Sequence, residues 1–112
     1  MNTEEIPRLE KRLSPNAVYD ELTPKMKVAL AILEFNDVDN KNAYFSGLVR
    51  ELVKKVSRAT IHKSLDPLLD QGAIRAEWVQ IEKGHWVRGY WSASETQKKM
   101  LRRTYYASHA KT

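Results

Sequence analysis

The sequence predicts a mainly α fold carrying one small β-hairpin (α+β), and three observations carry that expectation. Apolar residues recur at helical spacing through residues 24–35, 47–54 and 57–70. Past Gly72 the period switches to the alternation of strands, in two runs rich in Ile, Val and Trp at residues 73–81 and 86–91. Between those runs Glu82-Lys83-Gly84-His85 supplies a glycine where a hairpin tip needs positive φ.

One domain is the expectation. With 112 residues, 42% apolar and 29% charged, the chain can bury a core and leaves no room for a separate catalytic or ligand-sensing domain. No apolar run approaches the roughly 20 residues needed to span a bilayer, and Met1-Asn2-Thr3-Glu4-Glu5 is polar and acidic, unlike a signal peptide. No membrane partner and a cytoplasmic location are therefore expected. The absence of cysteine excludes disulfides and thiolate metal sites and fits a reducing compartment. The net charge of +5 is unevenly divided. Residues 1–45 carry 6 Lys/Arg against 8 Asp/Glu, a net of −2, while residues 46–112 carry 13 against 6, a net of +7. A basic half of this kind suits a polyanion, nucleic acid ahead of an anionic membrane surface, although charge also simply solubilises.

Each element has its own signals. Residues 1–22 place Ile6, Leu9 and Leu13 at i, i+3 and i+7, ended by Ser14-Pro15-Asn16, which reads either as a loosely docked arm or as a short dimerising helix. Thr23-Pro24 starts a helix with proline at its first position, and Met26, Ala29, Leu30 and Leu33 form its core stripe, widened by Val28, Ile32 and Phe35. Residues 36–42 are a polar connection whose acids lack the glycine and the distant glutamate of a calcium loop. Ser46 is expected to cap a short helix over residues 47–54, and Lys54-Lys55-Val56 leaves room only for a tight turn. Ser57 then caps the helix on which the chain centres. Ile61, Leu65, Leu68 and Leu69 make its apolar stripe, Gly72 closes it, and Pro67 is expected to kink or shorten it. After the hairpin, Ser94 with Gln97 three residues on resembles a capping box. It opens a helix with Met100, Leu101 and Tyr105 on one side and Lys98, Lys99, Arg102 and Arg103 on the other. The organisation expected is an arm or short helix at 1–22, a central domain at 23–93, and a helix and tail at 94–112.

This order of elements resembles the winged helix-turn-helix transcription regulators of the MarR, PadR and ArsR kind. Ser57-Arg58-Ala59-Thr60-Ile61-His62-Lys63-Ser64-Leu65, followed by Leu68-Leu69 and Gly72-Ala73-Ile74, looks like their recognition helix and its run into the wing. Arg88-Gly89-Tyr90-Trp91-Ser92-Ala93-Ser94 is similar to their second wing strand passing into a helix cap. The resemblance spans about residues 23–107 and rests on pattern, not on an invariant motif. It implies a sequence-specific double-stranded DNA-binding protein that regulates transcription. Arg58, Thr60, His62 and Lys63 would face base edges in the major groove, where Arg and Lys can donate to guanine O6 and N7. Lys54, Lys55, Ser57, Lys83, His85 and Arg88 would contact phosphates or form the wing contacts. A homodimer pairing Ile6, Leu9 and Leu13 with Met100, Leu101 and Tyr105 would set two such helices about one DNA turn apart, roughly 34 Å.

Read from the residues alone, the basic helix face also suits an ordinary solvated surface. Trp78, Trp86, Trp91 and Tyr90 read first as core, covering the helices from one strand face, with Trp86 partly exposed beside the hairpin tip, and otherwise as platforms for single-stranded bases. His62, His85 and His109 are too widely spaced for a metal site. No phosphate-binding, dinucleotide, zinc-protease or nucleophile-elbow motif is present, so no enzyme activity, no cofactor and no metal is expected. The alternatives to duplex DNA are a winged-helix protein-interaction module within a larger assembly and a single-stranded nucleic-acid binder. The sequence does not specify a small-molecule effector.

Overall fold

Thr23 and Pro24 start the first helix as their chemistry dictates: the Thr23 hydroxyl accepts from the Met26 N–H at 3.2 Å, and proline occupies the first turn. The computed structural model describes residues 21–109, with side chains through residue 104. The described elements are α1 (Pro24–Asp37), β1 (Ala43–Tyr44), α2 (Phe45–Glu51), α3 (Arg58–Asp70), β2 (Ile74–Glu82), β3 (His85–Ser92) and α4 (Glu95–His109). This is an α+β fold of four helices and a three-stranded antiparallel sheet ordered β1-β3-β2. Ile6, Leu9 and Leu13 lie outside the described residues.

Helix α1 is the centre of the core. Val28 to Leu33 and Phe35 are all buried, so the helix is covered on every side, by α2, α3, α4 and the sheet. Its last turn carries Asn36, whose side chain works as a strand edge would. Asn36 Oδ1 accepts from the Ser92 N–H at 2.8 Å, and its Nδ2 donates to the Tyr90 and Lys41 carbonyls at 3.3 and 3.0 Å. These bonds fix α1 to β3.

Two expectations fail between α1 and α3, one at each end of α2. Strand β1, absent from the sequence reading, pairs Ala43 with Tyr90 and Tyr44 with Gly89. That pairing holds Tyr44 extended (φ −104°, ψ 155°), so α2 starts at Phe45 with Tyr44 as its cap and no side-chain cap bond; Ser46 is inside the helix. The helix also stops at Glu51, short of Lys54. Lys54 itself adopts φ 69°, and the Leu52 carbonyl accepts from Lys55 and Val56 to close the turn.

Helix α3 has both ends expected of it. Ser57 Oγ accepts from the Thr60 N–H at 3.2 Å. At the other end Gly72 (φ +73°) allows paired closing bonds, Ala73 N–H to Leu68 O at 3.0 Å and Gly72 N–H to Leu69 O at 3.1 Å. Pro67 does not shorten the helix, which runs to Asp70 with Gln71 N–H bonded to Pro67 O at 3.0 Å. The proline removes one donor, opposite the Lys63 carbonyl, and both residues are exposed, so water can satisfy that oxygen.

Strands β2 and β3 turn through Lys83-Gly84, with Glu82 opposite His85 and Ile81 bulged out of register. Ile74, Ala76, Tyr90 and Ser92 face the helices at the base of this hairpin. Of the aromatics expected in the core, Tyr90 is buried, and Trp86, beside the tip, is exposed as its place there suggests. Trp91 is half-buried, while Trp78 is exposed as well, because the hairpin outruns the helices that cover its base.

Helix α4 is part of the same core. Ser94 Oγ accepts from the Gln97 N–H at 3.2 Å. The reciprocal half of the box does not form, since the Ser94 N–H goes to the Ala73 carbonyl at 3.4 Å. Leu101, expected at a dimer interface, is buried in the monomer's own core; Met100 is exposed, and the Tyr105 side chain lies outside the described residues. Arg102 Nε and Nη2 grip the Asp37 carboxylate at 2.8 and 3.2 Å, fastening α4 to the end of α1. No helix among the described residues is long and apolar enough to cross a membrane.

Candidate nucleic-acid interface

The residues proposed to meet bases start where α3 leaves its cap. Ile61, Ser64, Leu65 and Leu68 are buried, which turns the opposite side outward. Arg58, Ala59, His62 and Lys63 are exposed across the first two turns. Thr60 is half-buried at the edge of that face. Its hydroxyl accepts from Ser57 Oγ at 2.8 Å, so both Ser57 and Thr60, expected at a phosphate and a base, are engaged in the cap.

Two of the exposed side chains share a support that sequence reasoning missed. The Phe45 ring lies beneath Arg58, with Cζ 5.2 Å from the ring centroid, and meets the His62 ring edge-on at 5.8 Å and 79°. Arg58 and His62 are one turn apart on α3, so a single aromatic at the start of α2 can hold both. Phe45 sits at a strand-to-helix joint that depends on β1, and only its size marked it in the sequence.

Charge changes sign along the exposed side of α3. Its first two turns carry Arg58 and Lys63 with His62, and its last two carry Asp66 and Asp70, all exposed. A polyanion therefore fits the N-terminal half alone, because the carboxylates repel it beyond. The preceding turn adds Lys54 and Lys55, both exposed.

The hairpin residues divide between two faces. Lys83 is exposed at the tip. His85 Nδ1 lies 3.4 Å from Glu82 Oε1, so a carboxylate of the hairpin itself stands beside this expected wing contact. Arg88, expected as a wing contact, has its Cζ 5.8 Å from the Trp78 centroid and 5.9 Å from that of Tyr90. Burial pushes the Tyr90 phenol above its ordinary pKa, a shift opposed by Arg88 and reinforced by Asp66. Both charges thus act on one phenol, which joins the C-terminal half of α3 electrostatically to the hairpin face. On the opposite face the Glu77 carboxylate accepts from Trp91 Nε1 at 3.0 Å and Asn42 Nδ2 at 2.6 Å. These bonds, the Trp91 one foremost and Arg75 helping, hold its pKa below the ordinary glutamate value.

Among the described residues no cluster of three or more His, Asp or Glu side chains is placed to hold a metal ion. Comparison with known proteins gave no match: no family model, no curated protein and no solved structure is significantly similar to the chain.

Proposed function

We propose that this protein is a winged helix-turn-helix that binds double-stranded DNA and regulates transcription by occupying a promoter. Helices α2 and α3 with the turn between them are the helix-turn-helix, and β2 and β3 are the wing. The observation that carries this reading is the exposed start of α3, capped by Ser57. Arg58, His62 and Lys63 stand outward there with no carboxylate among them, while the helix's other side is fixed in the core. Arg58 and Lys63 would donate to guanine O6 and N7, with Phe45 holding Arg58 and His62 in place. Lys54, Lys55 and Lys83 would anchor phosphates, so that affinity falls with salt by a log–log slope of roughly 0.9 per phosphate neutralised.

Charge reversal tests the reading. Arg58→Glu with Lys63→Glu is expected to lower duplex affinity at least about 30-fold, given roughly 1–3 kcal/mol per base contact, while leaving the circular dichroism and the melting temperature in place. Unchanged affinity would sink it. A protein-interaction module is the competing reading, favoured by Asp66 and Asp70 on the same side of α3. Failure to bind either duplex or single strand at low salt selects that reading.

A further inference from the structure

The outer half of the hairpin carries an aromatic and cationic face that duplex binding through α3 does not use. Directly opposed residues of paired strands share a face, and so do alternate residues along one strand. Trp78 opposite Arg88 and Gln80 opposite Trp86 therefore form one surface, continuous with buried Tyr90. Trp78 is 66% exposed and Trp86 55%. Among the described residues neither indole N–H donates to a protein group, and no carboxylate pairs with Arg88, whose guanidinium carbon lies 5.8 and 5.9 Å from the Trp78 and Tyr90 ring centroids.

The acids of the hairpin are kept off this surface. Glu77 lies opposite Gly89, on the other side, where Trp91 and Asn42 hold it. Glu82 would alternate onto the tryptophan face but for the bulge at Ile81, which puts it opposite His85 on the Glu77 side. What remains is two exposed indoles in diagonal positions, an amide and an unpaired cation. Cation and aromatic rings together match a nucleic-acid strand, whose bases stack on rings of any kind and whose phosphates accept from arginine. The same face runs back to Tyr90, which pairs with Ala43 of β1, and two residues on Phe45 holds Arg58 and His62, so β1 links the face to the start of α3.

We propose that Trp78, Arg88 and Trp86 form a stacking platform for unpaired nucleobases, so that the protein binds best where a duplex meets a single strand. This rests on the nucleic-acid reading of α3, and the experiment separates the two. Anisotropy titrations would compare a blunt 20-base-pair duplex, the same duplex with a five-nucleotide thymidine overhang, and a free thymidine oligomer. The overhang is expected to tighten binding at least 10-fold, since one stacked base is worth roughly 5- to 150-fold. Trp78→Thr with Trp86→Thr should bring the overhang duplex down to the blunt value without weakening blunt binding, and Trp86→Phe should keep most of the gain. Equal affinity of the wild type for blunt and overhang duplexes overturns the platform, as does a double variant that weakens both alike. Self-association of the wild type that the double variant abolishes also overturns it, by showing that the face pairs two copies. Trp-dependent binding to the single strand with none to blunt duplex would support the platform and overturn the reading of α3. Blunt binding that needs Arg58 and Lys63 but gains nothing from the overhang would do the reverse.

Discussion

At its base the hairpin turns Ile74 and Tyr90 onto the helices and leaves them 3% and 6% exposed, yet a few residues farther out the same face carries Trp78 and Trp86 in solvent. Alternation is identical at the two ends. What differs is length: β2 runs nine residues and β3 eight, and the helices cover only the part that β1 and Asn36 also hold. Strand period therefore assigns a side chain to a face, while burial depends on what the rest of the chain brings to that face. The largest consequence is a contrast between two aromatic truncations. Tyr90→Ala should destabilise by about 3–5 kcal/mol, as removal of a buried ring does, and Trp86→Ala by less than about 1 kcal/mol, both read from urea unfolding. Equal costs would mean that the outer face is covered in solution.

Next in size is the joint that makes the base a base. Asn36 supplies an acceptor to Ser92, beyond the reach of the two-residue β1, and a further donor to the Tyr90 carbonyl. Asn36→Ala removes the partner of the part-buried Ser92 N–H, at a cost of about 2 kcal/mol. Amide exchange at Ser92 should accelerate in that variant, whereas amides near Lys83 stay as they were. Uniform acceleration along β3 would show that base and tip open together and erase the distinction.

A smaller effect is expected at Gly89, where the backbone of β3 passes beneath Asn42. An added Cβ would sit 2.8 Å from Asn42 Cβ and closer still to its Nδ2. Asn42 cannot yield freely, because it donates to Glu77. Gly89→Ala is expected to cost about 1.5 kcal/mol, within the usual range for overpacking, and to loosen β1 while the tip keeps its register, visible as chemical-shift changes confined to residues 42–44, 75–79 and 87–91.

The parts legible in the sequence are those whose cause is local. Thr23, Ser57 and Ser94 cap the next free N–H groups, and Gly72 closes α3, because each acts within three or four residues of itself. The hairpin tip is legible for the same reason. The parts that were not legible depend on residues far along the chain. Strand β1 is two residues long and exists only because Tyr90 and Gly89 pair with it, and its presence displaces the expected cap from Ser46 to Tyr44. Leu101 fits an exposed dimer stripe by period, and only the packing of α4 on α1 puts it in the core. Of the candidate site, the polar face of α3 followed from helical period. Phe45 under Arg58 and His62 did not, nor did the aromatic bed of Arg88, since each joins elements at separations that no local pattern encodes.

The smallest expected effect concerns the two kinds of tryptophan. Trp91, at the base, donates its indole N–H to Glu77, while Trp78 and Trp86 at the outer end donate to no protein group among the described residues. The Glu77 bond is formed by the charged carboxylate, which is why the folded-state pKa lies below the ordinary value of about 4.5. A carboxylate depressed on folding adds stability that is fully present above its unfolded pKa and is lost as pH falls through the folded one. The stability of the wild type should therefore decline below about pH 4.5 with a contribution from Glu77. Removing the Trp91 donor should bring the folded value back toward the unfolded one. Urea unfolding between pH 3 and 6 should accordingly show a shallower decline for Trp91→Phe than for the wild type, and an unaltered decline for Trp86→Phe. If Trp86→Phe flattens the curve as much, the outer indole too is tied to a carboxylate, and it is not free to stack on a base.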